Sequence, residues 1–241
     1  MMTAFLMAAG NGMRLRPITY NIQKCLLPVG GKPMLEWWLD AVRRSNRFDK
    51  ICVNVHYLKS DVVRWLRQYE FVHGVKIEIL DESRKLLGTA GTLRHFGRLY
   101  NSDIMLSYTD TFSNAMLKDI GSLVDLWAMR REDTLAGIVS FNPPNDCSGS
   151  AISVNAMGKI SSFKEKSDEG DISWVGTVFC RQEFLAKISR RDRDLARQVF
   201  PRERDFLRVI SHVDGYDIGR GVESYEQFRD TFKEQRAFQT V

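Results

Sequence analysis

The sequence predicts an α/β fold: a mostly parallel mixed sheet with helices on both faces, three layers in all, extended by antiparallel strands. Two observations predict it. Through the first half of the 241 residues, short apolar runs of strand length alternate with segments of helical periodicity, and strand, helix, strand in sequence implies right-handed crossovers between parallel neighbours. In the second half the runs crowd together with a turn between them, the pattern of added antiparallel strands.

Residues 3–8, 50–56, 75–80 and 104–108 are the first strands, apolar-rich and five to seven residues long. Pro33 suits a first helical position, where its missing N–H is not needed. Met34, Leu35, Trp38, Leu39 and Val42 then recur on one helical face. Ser60 or Asp61 is the expected cap of the next helix, in which Val62, Val63, Leu66 and Tyr69 repeat the spacing. Residues 119–131 form a third helix. Residues 134–141 are a strand, 151–154 and 159–163 a hairpin around 155–158, and 175–180 another strand. Helical segments to Ser211, a short strand ending near Asp217 and a last helix from about Glu223 complete the prediction. The antiparallel strands are expected to close over one end of the parallel sheet. Ligands bind outside the carboxyl ends of such strands, so residues just after Ala8, Tyr108 and Tyr216 should converge.

Composition narrows the function. With 44% hydrophobic residues and unexceptional Gly and Pro, the chain is not low-complexity or collagen-like. A core of this size needs neither disulfides nor a structural metal, and one domain over residues 1–241 is expected. No apolar run approaches a membrane span, and the first is too short for a signal peptide. A cytoplasmic location without a membrane partner is therefore expected. Cys25, Cys52, Cys147 and Cys180 form no C-x-x-C pair and suit small buried hydrophobes. The histidines make no zinc pattern. The net charge of +5 invites nucleic acid as a partner. However, the richest basic stretch, residues 190–208, interleaves seven arginines with Asp192, Asp194, Glu203 and Asp205 and suits a solvated helical face. No nucleic-acid partner is expected.

The first strand runs directly into Met7-Ala8-Ala9-Gly10-Asn11-Gly12-Met13-Arg14. Gly10 and Gly12 let the backbone turn sharply, and exposed N–H groups there form an anion-binding nest. Leu15 stands where a dinucleotide fingerprint needs its third glycine, and no G-K-[ST] makes a Walker A loop. Instead G-x-G-x-R is followed by Lys24, and two cations beside a nest suit a triphosphate whose α-phosphorus stays accessible.

The pattern continues. Arg14-Leu15-Arg16-Pro17-Ile18-Thr19, then Lys24-x-Leu26-Leu27-Pro28-Val29-x-Gly31-Lys32-Pro33, is followed in chain order by Leu87-Gly88-Thr89-Ala90-Gly91, Asp110, Phe163-x-Glu165-Lys166, Val175-Gly176 and Asp217-Ile218-Gly219. This ordered set resembles the signature of the sugar-1-phosphate nucleotidyltransferases, the NDP-sugar pyrophosphorylases, over nearly the whole chain. The resemblance implies a Rossmann-like fold whose antiparallel part binds sugar. It implies an enzyme joining a nucleoside triphosphate to a sugar 1-phosphate with release of pyrophosphate.

Carried over residue by residue, it implies that Ala8, Ala9, Gly10, Asn11, Gly12 and Met13 hold the triphosphate and that Gly88 and Thr89 pack against the nucleobase. Arg14, Lys24 and Lys166 would be catalytic cations. Glu165 would bind sugar hydroxyls, Lys166 the sugar's phosphate, and Gly176 would leave room for the ring. Asp110 and Asp217 would bind Mg²⁺, an ion that takes six hard oxygen ligands. No nucleophilic side chain is required, since the sugar phosphate is already an oxyanion, and direct in-line displacement follows. Homo-oligomers are compatible with the pattern.

The chain departs from that pattern at five places. Met13 stands for Thr or Ser, Gln23 for Pro, Thr109 for Gly, Ser167 for Pro, and Arg220-Gly221 for Thr-Pro. None of these removes a charge the reaction needs. A cytidylyltransferase acting on a non-sugar phosphate, of the phosphocholine type, and a non-catalytic NDP-sugar-binding paralogue share parts of the pattern. Neither base nor sugar is specified by it.

Overall fold

The structure, a computed structural model, describes residues 2–141, 150–156, 158–165 and 170–237. Strand β1 (Met2–Met7) leads through three short 3-10 turns to the small hairpin β2 (Pro28–Val29) and β3 (Lys32–Pro33), then α1 (Met34–Ser45), β4 (Phe48–Val55), α2 (Lys59–His73), β5 (Ile77–Asp81) and α3 (Gly88–Phe96). Next come β6 (Ile104–Tyr108), β7 (Thr111–Phe112), α4 (Asn114–Lys118), α5 (Ile120–Ala128) and β8 (Ala136–Phe141). The second half supplies β9 (Ser150–Val154), β10 (Ile160–Glu165), β11 (Ile172–Cys180), α6 (Gln182–Leu185), α7 (Phe200–Glu203), β12 (Leu207–Val213), β13 (Tyr216–Asp217) and α8 (Val222–Ala237).

The main sheet has the order β10-β9-β11-β6-β1-β4-β5, with β8 also on β11 and β12 beyond β8. Pairs β6–β1, β1–β4, β4–β5 and β8–β12 are parallel, whereas β11 is antiparallel to β6, β8 and β9. One edge of β11 follows β8, while along the other Ile172–Trp174 pair with β9 and Thr177–Cys180 with β6. The β9–β10 hairpin thereby extends the sheet past the carboxyl end of β6, the end at which a ligand site was expected. The antiparallel strands join the same sheet there.

Alternation along the strands divides the core into two layers, as a sheet covered on both faces requires. Ala4, Leu6, Val53 and Met105 pack with Leu35, Trp38 and Leu39 of α1 and Leu66 of α2. Phe5, Cys52 and Leu106 face the other way, onto Leu93 of α3, Phe184 and Phe200. The apolar stripe of α1 is the predicted one, with Pro33 immediately before its first turn. Cys25, Cys52 and Cys180 are buried and free; Cys147 lies outside the described residues. Among those, no helix is long and apolar enough to cross a membrane.

Two local expectations are corrected. Neither Ser60 nor Asp61 caps α2: the N-cap is Leu58 in a left-handed conformation (φ 48°), without a side-chain cap bond. Helix also does not run on to Ser211. Residues 207–213 are strand β12, held parallel to β8 by a register from Leu207↔Ala136 to Val213↔Phe141. Before it, residues 190–206 contain only short pieces, a π turn at Leu195–Val199, α7 and a 3-10 turn. Two arginines of the basic stretch have individual partners: Arg202 pairs with Asp192 at 2.8 Å and Arg208, on β12, with Asp133 at 2.9 Å.

Candidate active site

From β1 the chain enters the glycine-rich loop, whose backbone is gripped from two sides. Asn54 on β4 accepts the N–H of Ala8 at 2.6 Å and of Ala9 at 3.2 Å on its side-chain oxygen. Glu82 orients that amide, accepting Asn54 Nδ2 at 2.9 Å, and its other carboxylate oxygen accepts the N–H of Leu87 at 2.7 Å. The hydroxyl of Thr92 donates to it as well. A carboxylate that is 2% exposed is tolerated because it is surrounded by donors. Opposite, buried Gln23 donates its side-chain amide to the carbonyls of Ala8 and Gly10 and accepts the N–H of Cys25 at 2.6 Å. The expected anion nest is therefore narrower than the whole loop. The N–H groups of Ala8 and Ala9 are satisfied internally by Asn54, and the remaining loop from Gly10 to Met13 faces the cleft.

That cleft has two lobes. The larger, about 510 Å³, is bordered by Gly10, Asn11, Gly12, Met13, Arg14, Glu165, Gly176 and Asp217. The smaller, about 290 Å³, is bordered by Ala8, Ala9, Gly88 and Thr89 together with Gln23 and Asn54. Gly10, Lys24, Tyr108 and Asp110 border both. The structure thus brings together every predicted site residue except Lys166, which lies outside the described residues.

At the junction of the lobes Lys24 Nζ is ion-paired with Asp110 Oδ2. Asp110 follows β6, at the carboxyl end as expected. Asp217 comes alongside through backbone pairing, because β13 sets it opposite Thr111 and the N–H of Ile218 donates to the carbonyl of Asp110 at 3.0 Å. The 3-10 turn after it, Ile218–Arg220, packs on the turn Met13–Leu15 that carries Arg14. Thr109 bonds its hydroxyl to the Met7 carbonyl at 3.0 Å, tying β6 to β1 just before the aspartate.

Tyr108 separates the lobes. Burial, with nearby Asp194 adding to it, pushes its phenol well above the usual range, so it stays neutral. Its ring occupies the space beside Gly176, where φ is +82° and a Cβ would lie 2.6 Å from the ring. The missing side chain at Gly176 is accordingly a requirement of Tyr108 before any ligand arrives. Gly88 is similarly constrained at φ +76°, with a Cβ position 2.3 Å from the Arg193 carbonyl.

Residues 193–197 are neighbours of the candidate site that sequence reasoning missed. The Arg193 carbonyl accepts the N–H of Ala90 at 3.1 Å, and the N–H of Leu195 donates to Thr89 Oγ1 at 3.0 Å. Arg197 meanwhile ion-pairs with Glu165. One short segment thus touches the smaller lobe and a border residue of the larger. Its signal was concealed in the basic stretch, where Asp194 and Arg197 look like any other surface charges. Among the described residues bordering the larger lobe, the cations Arg14, Lys24, Arg197 and Arg220 stand with the acids Asp110, Glu165, Asp194 and Asp217.

The donor chemistry fits a hard divalent cation. Asp110 and Asp217, on paired backbone, border the same lobe, and phosphate oxygens and water would supply the remaining oxygens, as Mg²⁺ prefers. Among the described residues no three His, Cys, Asp or Glu side chains form a cage of their own.

Known proteins resemble this chain in sequence and in fold. The family model described as nucleotidyl transferase matches residues 3–198. The UTP–glucose-1-phosphate uridylyltransferase of Synechocystis sp. is 27% identical over 249 residues, covering 95% of this chain but 63% of that protein. The N-acetylmuramate alpha-1-phosphate uridylyltransferase of Caulobacter vibrioides is 28% identical over 196 residues, 76% of each chain. Among solved structures, HddC from Yersinia pseudotuberculosis superposes with a TM-score of 0.79 at 17% identity, over 96% of this chain and 100% of that one, a likeness of fold.

Proposed function

The chain belongs to the nucleotidyl transferase family, and from that premise we propose that it transfers a nucleotidyl group from a nucleoside triphosphate to a sugar 1-phosphate, giving an NDP-sugar and pyrophosphate. The observation that carries this reading is the cluster at the mouth of the glycine loop: Lys24 ion-paired to Asp110, with Asp217 drawn alongside through β13. The names of the two relatives above, each a uridylyltransferase acting on a sugar 1-phosphate, support the substrate class.

A phosphate oxygen of the sugar 1-phosphate attacks the α-phosphorus. The bond from that phosphorus to the bridging oxygen breaks, and its electron pair leaves on pyrophosphate. No proton need move, so the work of the protein is positioning and charge stabilisation. Gly10 to Met13 present backbone to the triphosphate, held in place by Asn54 and Gln23. Arg14 and Lys24 stabilise negative charge on the departing group and the α-phosphate. Glu165, fixed by Arg197, receives sugar hydroxyls, and Lys166 follows it in sequence to meet the sugar's phosphate. Asp110 and Asp217 would hold Mg²⁺, which when bound supplies positive charge at the α-phosphate. Tyr108, neutral between the lobes, keeps base and sugar apart. One domain over residues 1–241 suffices for this chemistry, and cytoplasmic substrates suit it.

Pyrophosphate release across the five common triphosphates and a set of sugar 1-phosphates, with Mg²⁺ present or chelated, tests the reading. A single productive pair that fails on chelation is expected. Release with none, in protein shown to be folded, overturns it.

A further inference from the structure

We propose that Glu82 is a specificity-determining positioning residue: its buried carboxylate sets the distance between two backbone segments that border the smaller lobe, so that the lobe selects a nucleoside triphosphate by the size of its base. The proposal rests on the transfer reading above, which supplies the triphosphate. Ala8, Ala9 and Gly10, leaving β1, form one of these borders, and Leu86, Gly88 and Thr89, following β5, form the other. Ala8, Ala9, Gly10 and Gly88 carry little or no side chain, so main chain makes much of the boundary. Among the described residues the charged groups bordering this lobe, Lys24 and Asp110, are shared with the larger one. A nucleotide's phosphates therefore belong at the junction or beyond it, and its flat, uncharged base is the part suited to the smaller lobe.

Glu82 borders neither lobe, yet both segments are tied to it. Its Oε2 accepts the N–H of Leu87 at 2.7 Å, one residue before Gly88. Its Oε1 accepts Asn54 Nδ2 at 2.9 Å, and Asn54 Oδ1 in turn accepts the N–H groups of Ala8 and Ala9. The carboxylate has a fixed base of its own: the Glu82 N–H donates to the Val55 carbonyl at 2.9 Å, and its carbonyl meets His56 Nδ1 at 2.9 Å. Two side chains thus form a bracket from one border of the lobe to the other. A carboxylate receives donors on both oxygens, whereas a carboxamide in its place has one oxygen to offer. At 2% exposure, water does not make up the difference. A base too large for the lobe must break the bracket to part the segments, and one too small leaves a gap that the bracket keeps open. Discrimination between bases is then limited by the strength of that bond.

The test is calorimetric titration of the full chain with the five common nucleoside triphosphates and Mg²⁺, with turnover followed alongside. The wild type should prefer one size class, purine or pyrimidine. Glu82→Gln should shrink the affinity ratio between the best purine and the best pyrimidine roughly three- to tenfold, the net worth of one hydrogen bond. Leu87→Pro deletes the other partner of that bond at a φ of −80°, within reach of proline. It should shrink the ratio equally, and it carries the test if Glu82→Gln does not fold. Thr92→Val removes a third donor to the same carboxylate while the bracket stays continuous, so it should lower the melting temperature and keep the ratio. An unchanged ratio in folded Glu82→Gln or Leu87→Pro overturns the proposal, as does a wild type without size preference. An equal loss of preference in Thr92→Val overturns it too, since Glu82 would then be a structural support alone. Relaxed preference in Glu82→Gln, with a wild type that binds triphosphate yet turns over no pair, supports the bracket and overturns the transfer reading instead.

Discussion

Asn54 accepts the backbone N–H of Ala8 at 2.6 Å, so a side chain on the second parallel strand sets the path of the glycine loop that leaves the first. Asn54→Ala strands that N–H and its neighbour, and orphaning a buried donor costs about 1–3 kcal/mol. In a chain of this size the melting temperature should fall by roughly 2–4 °C per kcal/mol, and KM for the triphosphate should rise more than KM for the acceptor. Asn54→Asp keeps the acceptor but sets a second carboxylate against Glu82. Its defect should be larger in neutral than in mildly acidic buffer, as differential scanning at the two conditions will show.

Gly176→Ala combines a left-handed backbone with a contact of 2.6 Å to Tyr108. A loss of about 1–3 kcal/mol in stability is expected for strain of this kind. Tyr108→Ala in the same chain should relieve the contact but not the backbone cost. Gly10→Ala has nothing within 4 Å of the new methyl group, and its unchanged unfolding midpoint is the control in denaturant titrations.

Asp110→Asn and Asp217→Asn should each reduce turnover by ~10²- to 10³-fold, the usual effect of losing one electrostatic group at a transferring phosphoryl centre. Both should also raise the Mg²⁺ concentration needed for half-maximal rate. Near-normal Mg²⁺-dependent rates in both variants would falsify their assignment as metal ligands.

Arg197→Ala separates position from stability. The pair with Glu165 is half in solvent on the arginine side, with 55% of that side chain exposed, so little stability is at stake. Acceptor KM should nevertheless rise, because Glu165 loses the group that holds it, while triphosphate KM is unchanged. A parallel rise of both constants would count against the proposed division of the cleft.

The buried thiols give a pH dependence of definite sign. Burial pushes Cys25 and Cys52 up to about 12, from an ordinary 9.0. Cys180 is shifted in the same direction. The unfolded chain therefore releases these protons first. Their contribution to stability is complete below about 9 and declines as the pH climbs through the folded-state values. Unfolding midpoints measured upward from neutral pH should fall above 9, and less steeply in Cys180→Ala after correction for its own cavity cost.

The first half of the fold was legible because each element carries its period in its own residues, as α1 does with Leu35, Trp38 and Leu39. Strand β12 was not. Its arginine and histidine interrupt the alternation, and the arginines before it have the spacing of a solvated helix. Only pairing with β8, some seventy residues earlier, makes it a strand. Asp110 and Asp217 stand after strand ends, where many aspartates merely cap turns, and only the resemblance singled them out as candidates. Asn54, Glu82 and Gln23 were not readable, because a buried amide or carboxylate gains its meaning from partners far away in sequence. The Gln23 substitution, noted only as a departure, proved to bind the loop it adjoins.

Tyr225, in the last helix, donates its hydroxyl to the carbonyl of Pro28 at 2.9 Å, across 197 residues of chain. Pro28 lies four residues after Lys24, and Asp217 also arrives late to meet Asp110. During synthesis, then, the glycine loop emerges early and waits. Until residues 217–225 have left the ribosome, Asp217 and Tyr225 are not there to meet Asp110 and Pro28, and a nascent chain exposes the loop, already held by Gln23 and Asn54, without them.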